Sequence, residues 1–273
     1  MAGKADIMTC CQKLKIKMKY FTLGYRLPRI ISAPLFGDRK KYGLTVQKDD
    51  PDWQEWEKTS LDFYYSNQKQ SVGDIVNNAG YKIMKQVTMD NKRILEIGPG
   101  DIGHLNNWVG TPKEYVIADI QEEMLKKTSA KLKEAKVSYD SCLLDKNSYK
   151  LPFENETFDM IISFYSLEHL YPLEQYTQEM HRILKGGGKM VGAIPTEGGI
   201  AWGLGRFLTS RRWFLKNTTI NPDKIICWEH PNFSDFILKT LEKYFQSEKR
   251  IYWPFFIPSV DLNLVVQFVY KKQ

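Results

Sequence analysis

The chain has 273 residues, 42% of them hydrophobic, a net charge of +7 and four cysteines. That length buries a sizeable core and suits one larger domain with additions. No apolar run approaches the roughly 18 to 20 residues that span a bilayer, and the start of the chain lacks a signal-peptide pattern. Cys10, Cys11, Cys142 and Cys227 include no C-x-x-C, which argues against a disulfide framework or a zinc motif and for a reducing cytoplasm.

Charge is uneven. Residues 1–48 hold 11 Lys and Arg against Asp6 and Asp38, a local balance of +9 that leaves −2 on the rest. Basicity therefore marks the N-terminal segment, and the pattern does not describe a nucleic-acid face. Within KLKIKMKYF, Lys13, Lys15, Lys17 and Lys19 alternate with Leu14, Ile16, Met18 and Tyr20, a period of two that suits a strand edge or an arm. Two readings stand: a solvated tail, or peripheral contact of residues 13–41 with the anionic inner face of a membrane, where each basic residue contributes about 1 kcal/mol.

Asp50 and Pro51 supply a cap and a helix-ready first residue before WQEWEKTSLDFYY. Val72, Ile75, Val76, Ala79, Ile83, Met84 and Val87 then recur at helical spacing. Trp53, Trp56, Phe63, Tyr64 and Tyr65 either wall a substrate cavity or pack as core.

From Arg93 the pattern alternates. RILEI, EYVIAD, VSYDSCLL, FDMIISF and KMVGAIP read as strands; QEEMLKKTSAKLKEA and EQYTQEMHRIL read as helices, the second stopped by Gly186, Gly187 and Gly188. Such alternation predicts a doubly wound α/β sheet with helices on both faces. After the helix FSDFILKTLEKYF come KRIYWPFFIP and LNLVVQFVYKK, separated by a short turn, so these two strands pair antiparallel.

The first strand runs into ILEIGPGDIGH, where Gly98, Gly100 and Gly103 spell G-x-G-x-x-G between Glu96 and Asp101. A dinucleotide would set its pyrophosphate in such a turn. Asp101 within a few ångströms of that anion costs about 1 to 4 kcal/mol. A phosphate-free adenosine compound with a sulfonium and an ammonium meets no such penalty. An NAD-dependent oxidoreductase is thus the weaker reading of the glycines.

Glu96, Gly98 and Gly100 resemble the first motif of class I S-adenosylmethionine-dependent methyltransferases of the type 11-like kind. LLDKNSYKLPFENETFDMIISFYSLEHL and EMHRILKGGGKMVGAIP resemble the later strands of that family. The resemblance implies a Rossmann-like, seven-stranded, mostly parallel sheet with an antiparallel last strand. It implies S-adenosyl-L-methionine as cofactor, with Asp119 toward the ribose hydroxyls and Asp145 toward the adenine amino group. Glu96, Gly98, Pro99, Gly100, Asp119, Ile120, Asp145, Phe164 and Tyr165 are the implied cofactor residues. Gly103 departs from the family's usual G-x-G-x-G by one residue. The implied organisation is a basic arm and helical cap over 1–78, the cofactor core over 79–195, an inserted lid over 196–232, and 233–273 completing the core.

Methyl transfer to a hydroxyl gains roughly 10²- to 10⁴-fold from a base. His169, past the fourth strand where open α/β sheets place ligands, is the first candidate, and His230 in CWEHPN is the second. His104 is expected to begin the helix after the glycine loop, and His181 to be structural. No two histidines stand at metal-ligand spacing, so no metal is expected. Arg206, Arg211 and Arg212 in the lid either meet an anion on the acceptor or are solvated. The expected activity is methylation of a small molecule. It is O-methylation of a sugar or glycan precursor, by analogy with bacterial surface-polysaccharide methyltransferases, or C-methylation of a quinone or other lipid. A non-catalytic scaffold is a further alternative, and no nucleic-acid partner is expected.

Overall fold

The computed structural model describes residues 22–63 and 72–273. Its strands are β1 (Arg93–Ile97), β2 (Glu114–Asp119), β3 (Asp140–Leu143), β4 (Phe158–Phe164), β5 (Leu184–Pro195), β6 (Gln246–Trp253) and β7 (Val265–Lys271). Its helices are α1 (Arg29–Phe36), α2 (Arg39–Tyr42), α3 (Pro51–Phe63), α4 (Val72–Tyr81), α5 (Glu122–Glu134), α6 (Leu173–Ile183), α7 (Ile200–Leu208), α8 (Ser210–Asn217), α9 (Pro222–Glu229) and α10 (Ser234–Tyr244). The strands form one sheet in the order β3-β2-β1-β4-β5-β7-β6. β1 to β5 pair in parallel, and β7 lies antiparallel between β5 and β6. This is the Rossmann-like methyltransferase arrangement expected from the sequence.

Strand alternation divides the core. Leu95, Ile97, Val116, Ala118, Val266 and Phe268 face one side, against Leu173, Met180 and Ile183 of α6 and Ile237, Leu238 and Leu241 of α10. Ile94, Tyr115, Ile117, Met160 and Val269 face the other, against Val76 of α4 and Leu125 and Leu132 of α5. A strand buried on both faces must be apolar throughout, which is why the central strands read as unbroken runs. Each Leu, Ile or Met so buried contributes about 1.5–3 kcal/mol, an upper figure because the unfolded chain already hides some of this surface. Trp56 and Phe63 of α3 pack with Phe214, Ile220 and Ile225, and with Trp53 beside them, in a smaller third cluster. These aromatics form core between α3, α8 and α9.

Three local expectations differ from the structure. The glycine loop opens onto a 3-10 turn at Leu105–Asn107, and the expected α-helix does not form. Ile102 there takes a φ of 43°, and the short stretch Asn106, Asn107, Trp108 has little helix propensity to continue the turn. Gly186 to Gly188 do not end α6. α6 stops at Ile183, and β5 runs through the glycines, where the β4–β5 register shifts between Phe158 and Met160. VSYDSCLL shortens to Asp140–Leu143. The lysine-alternating stretch 13–20, Tyr64 and Tyr65 lie outside the described residues.

Candidate active site

The carboxyl ends of β1, β2, β4 and β5 converge on one edge of the sheet, the position at which open α/β sheets take ligands. Gly98 leaves β1 with a φ of 66°, and an added Cβ would stand 2.8 Å from the Cβ of Ser166 in the loop after β4. Gly100 also has positive φ, 52°. The backbone of Gly98, Pro99 and Gly100 thus passes close to the β4 loop with no side chain between them. Asp119 ends β2, with Oδ1 accepting from the Gln121 amide at 2.8 Å. Burial pushes its carboxyl up from the ordinary value. Ile120 and Leu143, beside it, are 44% and 57% exposed. An ionisable carboxylate flanked by uncovered apolar side chains suits a ribose with a flat purine next to it.

The other two loop acids do not face this space. Alternation along β1 turns Glu96 into the core, where it is fully buried, 2.7 Å from His104 Nε2 and hydrogen-bonded by the Tyr115 hydroxyl. His104, itself buried, takes the Trp108 indole N–H on Nδ1 at 2.8 Å. Asp101 pairs with Lys131 of α5 at 2.5 Å. The electrostatic argument drawn from Glu96 and Asp101 is therefore corrected: one is held internally and the other is paired, and Asp119 alone of the three stands at the strand ends.

Asp145 lies exposed in the loop after β3, its Oδ1 accepting from the Asn147 amide at 2.8 Å. Phe164 is buried against His104 and Tyr81. Tyr165, with a φ of 53°, donates its hydroxyl to the carbonyls of Val76 and Asn77 at 3.0 and 3.1 Å. Its side chain anchors α4, which leaves the backbone of the β4 loop facing the cleft.

Across from Asp119, two segments distant in the chain meet. Asn232 donates its side-chain amide to the carbonyls of Leu167 and Leu170 at 3.0 and 2.6 Å, fastening the turn after α9 to the loop after β4. His169 and His230 consequently lie with ring centroids 4.7 Å apart. His169 Nδ1 sits 2.6 Å from the Glu229 carbonyl and 3.4 Å from its carboxylate. His230 Nδ1 lies 2.7 Å from Glu197 Oε1, an ion-pair distance without the in-line N–H geometry of a full hydrogen bond. Arg206 donates to the same Glu197, Trp56 donates to Glu229 at 2.5 Å, and Arg39 binds the Pro231 and His230 carbonyls, each at 2.7 Å.

The charge states follow from these contacts. Burial alone would depress His169, but Glu229 and Glu168 outweigh it and raise the imidazole to about 9. The side chain is nonetheless 39% exposed, as fits a group in a narrow cleft that water reaches from one side. Burial pushes Glu168 up to about 7 against the pull of His169. For Glu197 burial is outweighed by Arg206 and His230, which hold it well below the carboxylate range. His230 is depressed by burial despite Glu197, so at neutral pH it is an uncharged imidazole beside an ionised carboxylate.

Of the remaining candidates, Arg206 and Arg211 are paired with Glu197 and Asp223, and Arg212 is exposed. His181 lies on α6 against Tyr244 and Phe245, away from this cluster. Glu168, Glu197 and Glu229 were not singled out in the sequence. A signal existed: the Glu-His dipeptide occurs in both SLEHL and CWEHP.

Residues 95–192 match the family model described as Methyltransferase domain. This core is that of a class I S-adenosylmethionine-dependent methyltransferase. The chain is 29% identical over 129 residues to the ubiquinone/menaquinone biosynthesis C-methyltransferase UbiE of Yersinia enterocolitica, covering 44% of this chain and 51% of that protein. The chain thus spans about half the length of the curated relatives it matches. In fold, it is similar to the PH0226 protein from Pyrococcus horikoshii, with a TM-score of 0.54 at 18% identity over 80% of this chain and 99% of that one. It is also similar to the N-methyltransferase NodS from Bradyrhizobium japonicum, solved with S-adenosyl-L-homocysteine, with a TM-score of 0.51 at 14% identity over 82% and 99%. The family match ends at residue 192, before α7 to α9, so the histidine cluster is assembled partly from residues outside the matched domain. Among the described residues no helix is long and apolar enough to cross a membrane.

Proposed function

We propose that the protein transfers a methyl group from S-adenosylmethionine to a hydroxyl-bearing small molecule, with the acceptor seated against His169 and His230. The observation that carries this reading is the pairing of His169 and His230, ring centroids 4.7 Å apart, with His230 backed by Glu197 and His169 near enough for its charge to act on the Asp119 carboxyl. The bound cofactor supplies a methyl activated by positively charged sulfur. Asp119 and the Gly98–Gly100 backbone hold the adenosine end. His230, with no hydrogen-bond partner at Nε2 among the described residues, takes the acceptor's hydroxyl proton as the new bond to the methyl carbon forms and the carbon–sulfur bond breaks. Holding the acceptor in line supplies several further kcal/mol of barrier reduction.

We favour an acceptor ring carried on a lipid, of the quinone-precursor type. The relatives named for ubiquinone and menaquinone biosynthesis support that class. So do the uncovered apolar side chains on α7 and α1, with Leu204 48%, Leu208 53% and Ile30 85% exposed. Deprotonating a phenol makes either its oxygen or the neighbouring ring carbon the nucleophile. A sugar or glycan precursor is the second reading, favoured by the polar lining of Glu168, Glu197 and Arg206. Incubation with labelled methyl donor and either a prenylated phenol or a sugar nucleotide tests both. Label in the phenol is expected. Label in the sugar alone reverses the order, and label in neither, with cofactor bound, removes the acceptor assignment.

A further inference from the structure

Glu168, His169 and His230 each offer one ligand atom, and these atoms lie within 4.8 Å of one another. We propose that the three side chains hold a divalent transition-metal ion. Two imidazoles and a carboxylate form a donor set suited to Zn²⁺, Co²⁺ or Fe²⁺.

The surroundings support an ion more strongly than the separations alone. A ligating histidine usually donates its second ring N–H to a carbonyl or carboxylate, which fixes the tautomer and aims the other nitrogen at the metal. His169 has that arrangement, its Nδ1 2.6 Å from the Glu229 carbonyl, and Nδ1 of His230 lies at ion-pair distance, 2.7 Å, from the Glu197 carboxylate. Their Nε2 atoms have no partner among the described residues. Glu168 is 2% exposed, yet its Oε2 has no hydrogen-bond partner. An oxygen so buried and unmet destabilises the fold, a cost that a bound cation removes.

The geometry requires only a small adjustment. Bonds of about 2.1 Å at a tetrahedral ion place donors roughly 3.4 Å apart, so a pair at the 4.8 Å limit must close by about 1.4 Å. The partly exposed His169 has room to turn. The local charge also permits a cation once His169 is bound as a neutral imidazole, since the carboxylates of Glu168, Glu197 and Glu229 then outnumber the guanidiniums of Arg39 and Arg206. With Nε2 of His230 on the ion, that nitrogen no longer takes the acceptor's proton, and in the loaded protein the ion's open position would meet the acceptor oxygen in its place. That consequence rests on the proposed function; binding of the ion does not.

The test uses the full chain, without a histidine tag, stripped with chelator and titrated with Zn²⁺ in a calorimeter and with Co²⁺ in a spectrophotometer. One ion per chain is expected, with Co²⁺ showing the absorption of a nitrogen- and oxygen-ligated site. Glu168→Gln and His169→Ala should lose at least a hundredfold in affinity. The positioning variant Glu197→Gln should lose roughly 10- to 100-fold. S-adenosylhomocysteine binding by each variant reports that the core is folded. No saturable binding by the wild type, or undiminished binding by folded Glu168→Gln and His169→Ala proteins, overturns the site. Should the wild type bind no ion while His230→Gln still abolishes methyl transfer, the proposed function stands and the metal falls.

Discussion

His230 Nδ1 and Glu197 Oε1 lie 2.7 Å apart, and Arg206 donates to that carboxylate from α7. An imidazole, a carboxylate and a guanidinium thus run from the cleft into the inserted helices. Replacing His230 with Gln keeps a polar side chain of similar size but removes the basic nitrogen. Methyl transfer should fall by roughly 10²- to 10⁴-fold in kcat, with the KM for S-adenosylmethionine little changed. A variant retaining wild-type kcat in a labelled-methyl assay would exclude His230 from the reaction.

Asp119 ends β2 at the carboxyl edge of the sheet, where the proposed function gives it the adenosine end of the cofactor. Asp119→Asn should weaken S-adenosylhomocysteine binding by roughly ten- to a hundredfold, the worth of one hydrogen bond to a charged group at about 1.5–3 kcal/mol. Thermal unfolding with and without ligand measures it, since a ligand raises stability according to its occupancy. NAD should give no stabilisation of the wild type. Stabilisation by NAD and none by S-adenosylhomocysteine would return the glycine loop to a dinucleotide.

Glu96 was expected beside the cofactor and is found in the core with His104 and Tyr115. Its removal is therefore a stability event. Glu96→Ala leaves the imidazole and the phenol without their partner in a site that water does not reach, and should destabilise the fold by about 3–5 kcal/mol. Urea denaturation measures this directly. A variant as stable as wild type but unable to bind cofactor would restore the cofactor role.

The contrast between Glu96 and Asp119 shows what the sequence disclosed. Strand runs such as RILEI and EYVIAD are legible because burial on both sheet faces demands apolar residues throughout, and the order of strands and helices then leads to the sheet. The direction of a single acid in a loop is not legible in this way. Glu96 is turned inward by strand alternation and kept there by Tyr115, a residue on the neighbouring strand. His169 and His230 were each readable as candidates from their positions after strand or helix. Their meeting was not, because Asn232 bridges two loops through backbone carbonyls, and carbonyls leave no mark on the sequence. Metal-ligand spacing likewise detects only ligands close in the chain.

The loop from β3 to β4, which carries Asp145, is held by Arg182 of α6. Arg182 donates to the Leu151 and Phe153 carbonyls at 3.0 and 2.7 Å and to both oxygens of Glu179 at 3.0 and 2.7 Å. The Leu151 amide donates to Glu179 at 3.0 Å. The Arg182 hydrogen bond, outweighing burial and helped by Leu151 and Lys150, holds the Glu179 carboxyl below its ordinary value. A carboxyl depressed in the folded state stabilises the fold fully above its unfolded pKa, and that contribution is lost as pH falls through the lower folded value. Glu179→Gln should therefore lower the melting temperature at pH 7 by an amount that shrinks toward pH 3. A gap between variant and wild type that stays constant from pH 7 to pH 3 would mean that the side chain contributes through packing, and that Arg182 holds the Asp145 loop without it.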